Sequence, residues 1–104
     1  VLWRAPKACE VVGAYVLPTN AVGSDTANYF DLALYNGGAS GTALTALGGT
    51  VGGTVGFAIA GTAFTISEGT LAAGDKVLLR YNETGTGTFT AMQVQLDYVL
   101  GVGA

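Results

Sequence analysis

Asn28-Tyr29-Phe30-Asp31-Leu32-Ala33-Leu34-Tyr35-Asn36-Gly37-Gly38 is the stretch from which the fold can be read. Phe30, Leu32 and Leu34 alternate with Tyr29, Asp31, Ala33 and Tyr35, a period of two that suits a half-buried β-strand and no helix. Asn36-Gly37-Gly38 then supplies residues that tolerate the positive φ of a tight turn. One strand over 28–35, delivered into a reversal, is the unit this stretch predicts.

The same pattern recurs on both sides. Residues 8–17 place Cys9, Val11, Tyr15 and Leu17 on one side and Glu10 on the other, with a kink expected at Gly13 and an end at Pro18, which cannot donate to a ladder. Phe64 and Ile66 alternate with Thr65 and Ser67 before Glu68-Gly69. Ala72-Ala73-Gly74-Asp75 reads as a turn, and over 76–82 Val77, Leu79 and Tyr81 face away from Lys76 and Arg80. Residues 88–100 set Met92, Val94, Leu96, Tyr98 and Leu100 against Gln93, Gln95 and Asp97; thirteen residues are long for one strand, so a bulge or bend is expected there.

The pattern fades over 39–61. Residues 42–47 could form one helical turn, but Gly41, Gly48, Gly49, Gly52, Gly53, Gly56 and Gly61 oppose a stable helix. Gly-Gly-Thr-Val occurs at 48–51 and again at 52–55, local low complexity too short to be a structural repeat. We read 39–61 as a Gly-rich loop or edge region, with Val51, Val55, Phe57 and Ile59 as inward anchors. About seven to eight short strands with no substantial helix make the chain an all-β, antiparallel, jelly-roll-like sandwich over 1–104, with 1–7 as an extended N-terminal arm.

Composition narrows function. Of 104 residues, 17 are Gly, 16 Ala and 13 Thr; there is no His and one Cys, and mean hydropathy is +0.48. Without His the commonest general base and metal ligand is missing. Cys9 lacks a His to activate it and reads as a small buried hydrophobe. The acidic residues show no Asp-x-Asp spacing: Asp75 falls in a turn, and Asp31 and Asp97 on outward strand faces. No catalytic residue, metal site or cofactor is predicted, and no enzyme. A net charge of −3 with four scattered cations argues against nucleic acid. The glycine cluster lacks the following helix and the Lys of a phosphate loop, since no Lys lies between Lys7 and Lys76. Asn82-Glu83-Thr84 matches a glycosylation pattern that is common by chance, and it is read as unmodified.

Only 11% of residues are charged, against about 25% in ordinary soluble domains. No apolar run reaches the roughly 18 residues of a membrane helix, so no membrane partner is predicted. Coverage by other subunits is the leading explanation. Trp3, Tyr29, Tyr35 and Phe89 are the candidate interface residues, because alternation puts the last three on outward faces and Trp3 lies in the arm. A glycan platform is the alternative use of these rings. A one-residue register error would instead turn them inward.

Taken together, Trp3-Arg4-Ala5-Pro6 with Cys9-Glu10-Val11-Val12, the run Leu32-Ala33-Leu34-Tyr35-Asn36-Gly37-Gly38, ISEGTLAAGD at 66–75 leading into Val77-Leu78-Leu79, and Val94-Gln95-Leu96-Asp97-Tyr98-Val99 resemble the small jelly-roll structural proteins of tailed bacteriophage virions. The resemblance covers most of the chain and rests on strand and turn pattern. It implies a capsid decoration protein on the virion surface, assembled in the host cytoplasm, that binds the major capsid protein lattice and itself, as a homotrimer, and stabilises the head. A tail or head-fibre appendage, with glycan as its candidate ligand, is the alternative. The resemblance does not place residues 48–61, and it assigns them no role. Strand addition by the arm to a neighbour's sheet edge, with Trp3 in a pocket, is the expected mode of contact.

Overall fold

The computed structural model describes residues 2–41, 45–86 and 91–100. Among them nine strands run in order: β1 (Trp3–Arg4), β2 (Cys9–Pro18), β3 (Tyr29–Asn36), β4 (Thr45–Ala46), β5 (Val51–Gly52), β6 (Thr62–Phe64), β7 (Thr70–Leu71), β8 (Lys76–Thr84) and β9 (Met92–Leu100). They form two antiparallel sheets. In the first, β8 lies between β1 and β3, and β4 and β5 share the far edge of β3. In the second, β2 is central, with β9 along one edge and β6 and β7 sharing the other.

The 28–38 stretch folds as its alternation requires. Phe30, Leu32 and Leu34 are buried in the core with Val77 from β8, while Tyr29, Asp31 and Tyr35 are half-buried on the outer face. Asn36 then holds the reversal, its side-chain oxygen accepting from the Gly38 N–H at 2.8 Å. Each leucine buried here contributes about 1.5–3 kcal/mol of transfer free energy.

β2 departs from simple alternation. Its ladder with β9 shifts between Val11 and Gly13, so Val12 is the extra residue of a bulge. That residue reverses the strand's parity: Cys9 and Val11 point inward before it, and Ala14 and Val16 after it. Tyr15 and Leu17, expected inward, are carried to the outer face, where Tyr15 is exposed. Of the stretch expected to bend, 88–90 lie outside the described residues; β9 runs regularly over its nine residues, and the irregularity in its ladder with β2 lies on β2.

The Gly-rich region is more ordered than expected, and different. Of the 42–47 stretch considered for a helical turn, 42–44 lie outside the described residues, and no helical turn occupies 45–47: Thr45–Ala46 is β4, and Leu47 is a fully buried core residue. The Leu47 N–H donates to the Leu34 carbonyl, and the Leu47 carbonyl accepts from Ser67 and Glu68, so one residue ties both sheets. A 3-10 turn at Gly53–Val55 throws Val55 outward, 77% exposed, and Ile59 is also exposed; neither is an inward anchor. Phe57 is, buried against Phe30 with ring centroids 5.0 Å apart.

The arm is not extended away from the body. Leu2 and Ala5 donate to the Val77 and Asp75 carbonyls, and Ala5 is fully buried, so Trp3–Arg4 adds to the β8 of its own chain. The edge that the arm completes is intramolecular.

Candidate functional site

The two lateral sides of the sandwich are closed unequally. On one side residues 45–71 cross from β4 and β5 to β6 and β7. The chain packs closely there: at Gly48 a methyl group would overlap the Thr65 carbonyl. On the other side β8 and β9 bound the margin, joined at one end by Trp3 of β1 packed against Tyr98, ring centroids 4.8 Å apart and planes tilted by 40°.

Along that second side the inward row of β8 passes from buried Val77 to half-buried Leu79 to exposed Tyr81. The inward row of β9 is nowhere fully covered: Met92, Val94 and Leu96 are half-buried, Tyr98 is 43% exposed and Leu100 more so. No described strand lies along the outer edge of β9.

The outer face of the second sheet continues this surface. Cross-strand pairs put Glu10 beside Val99, Tyr15 beside Gln95 and Leu17 beside Gln93. With Val12, 56% exposed on the bulge, the face presents Val12, Tyr15 and Val99 among amides, and Glu10 and Asp97 are its charges on β2 and β9. Gln95 donates to Asp97 at 3.0 Å.

The outer face of the first sheet is differently made. Ala33 there is almost fully buried between its neighbours, and the Arg80 guanidinium lies 4.9 Å above the Tyr35 ring, a cation–π contact. Tyr29 and Tyr35 do face outward as the alternation predicts. Six residues apart on one strand, they are separated by roughly 20 Å, so they do not form one sugar-sized platform. Trp3 is half-buried, its ring tilted against that of Tyr98, and Phe89 lies outside the described residues. Alternation could not find Tyr15, since the residue inserted at Val12 reverses the strand's parity beyond it. The only sequence signal was Gly13, which marked the irregularity.

Among the described residues there is no ligand-sized pocket and no group of three or more His, Cys, Asp or Glu side chains able to hold a metal. Cys9 is buried, and loss of solvation with the field of Asp75 raises its thiol pKa. Asp25 accepts from the Asn28 and Ala27 N–H groups at 2.9 and 2.8 Å, which lowers its carboxyl pKa. Both residues therefore have structural settings. No protein-family model, curated protein or solved structure matches this chain.

Proposed function

We propose that this chain is a structural subunit of a bacteriophage virion, a head decoration protein that binds the lattice of the major capsid protein and copies of itself, and so stabilises the head. The observation that supports this most is the outer face of the second sheet, where Val12, Tyr15 and Val99 are exposed around few charges. Surfaces of this make-up suit burial against protein, with an aromatic near the centre as anchor. Many copies on one lattice would turn modest single contacts into a firm joint.

Purified chain mixed with undecorated heads should co-sediment with them and raise the temperature at which they release DNA. Val12→Lys and Tyr15→Lys should each weaken that binding at least about tenfold while leaving the chain folded. Failure of the wild-type chain to bind heads overturns the reading. The fibre or tail module that binds glycan draws less support, because Tyr29 and Tyr35 are far apart and Arg80 occupies one face of Tyr35.

A further inference from the structure

We infer that β9 is a two-fold joint: two copies of this chain pair through their β9 edges, antiparallel and centred on Leu96, to make one continuous sheet. The inference does not depend on the virion reading, since both partners are this chain.

A bare strand edge templates another strand, and proteins that remain apart guard such edges with charge, proline or a cover. β8, beyond the two residues paired with β1, carries Arg80 and Glu83. β9 carries Asp97 as its one charged residue in nine, with no proline. The row it presents inward is half-exposed along its length.

Self-pairing also has to satisfy that one charge, and the strand carries the means. In a two-fold antiparallel pair centred on Leu96, all nine residues find partners. Met92 then meets Leu100 of the second copy, Val94 meets Tyr98, and Leu96 meets Leu96. Each half-exposed inward side chain so gains an apolar neighbour across the joint. On the opposite face Gln95 meets Asp97 of the second copy, twice by symmetry. The Gln95 amide has two N–H donors and the Asp97 carboxylate two oxygens, so the hydrogen bond already present within each strand leaves capacity for the one between copies. Centring on Asp97 instead would set the two carboxylates against each other.

The resemblance implies three-fold self-association; this joint is two-fold, so the two are separable in solution. Sedimentation of the full chain from micromolar to millimolar concentration should show a monomer–dimer equilibrium. Gln95→Glu should weaken it roughly tenfold by setting carboxylates opposite each other at two places, and Gln95→Lys should tighten it. Thermal unfolding checks that both variants keep the fold. A mixture of mass-labelled Gln95→Cys and Asp97→Cys chains, oxidised gently, should give the mixed 95–97 disulfide in preference to either same-site dimer. A chain that stays monomeric throughout overturns the inference. So does association that Gln95→Glu leaves unchanged, or oxidation that favours same-site dimers. None of these outcomes bears on whether the chain binds heads.

Discussion

The side of the sandwich crossed by residues 45–71 and the side bounded by β8 and β9 solve one problem in opposite ways. Both must cover the margin of a core built on Leu32, Leu34, Val16 and Phe30. The first uses a Gly-rich stretch of the chain. Glycines let backbone approach backbone, while Leu47 and Phe57 reach in from a segment with little regular structure. The second has two of the longest strands, and yet the inward side chains of β9 are only partly covered. Strand length does not by itself close a core; a neighbour on each edge does. Among the described residues, β9 has a neighbour on one edge.

The contrast is tested most severely by truncating one leucine on each strand. Leu34→Ala should cost about 2–5 kcal/mol in chemical denaturation, the range for a fully buried leucine that leaves a cavity. Leu96→Ala at low protein concentration should cost about 1 kcal/mol, since its side chain is already half in water. Equal losses at the two positions would break the comparison.

On the closed side the sharper probe is Gly56. Its φ is +75°, and a methyl there would run into the Val22 carbonyl, which pairs with Phe57. Gly56→Ala should destabilise the fold by about 2 kcal/mol or more, combining left-handed strain with displacement of that pairing. A negligible effect would mean that the 45–71 crossing contributes little to closure.

These sites show what was legible in the residues. The 28–38 strand, its turn, and the outward placement of Tyr29 and Tyr35 follow from short-range alternation and turn chemistry, which act within a few residues. The Asp75 turn was legible for the same reason: its carboxylate accepts from the Ala72 N–H at 2.9 Å, local bonding that the residue types imply. What alternation could not supply was parity across Val12, because a bulge is decided by the ladder with β9, some eighty residues away in sequence. Val55 and Ile59 were misassigned for a related reason. Counting every second residue presumes a strand, and the 3-10 turn at Gly53–Val55 breaks the count. Of the candidate interface residues, Tyr29 and Tyr35, chosen by alternation, do face outward, whereas Trp3, chosen for its place in the arm, is held by Tyr98, a contact distant in sequence that no local pattern encodes.

A smaller effect is expected where the arm and two turns meet at the end of the first sheet. Asp75 accepts from Ala72 and, at 3.3 Å, from the Asn36 side chain, while its backbone carbonyl accepts from Ala5. Asp75→Ala should cost about 1 kcal/mol, the usual net value of such bonds. It should also raise hydrogen exchange at the Ala5 N–H before that at Leu34. A uniform rise across both would show that this end is no weaker than the β3–β8 ladder.

The smallest expected effect lies at Asp25, fully exposed on the loop between β2 and β3, and its sign follows from linkage. Hydrogen bonds from Asn28 and Ala27 favour the ionised carboxylate, so its pKa in the folded chain lies below its ordinary value. The unfolded chain therefore binds this proton at a higher pH than the folded chain does. The stabilisation is fully present above the ordinary carboxylate range and disappears as pH falls through the lowered pKa. Asp25→Ala should lower the unfolding temperature slightly at neutral pH, and the gap from wild type should narrow on acidification. If the gap stayed constant with pH, it would come from the geometry of the loop and not from the charge of the carboxylate. The turn into β3 would then be held as the closed side of the sandwich is held, by backbone conformation alone.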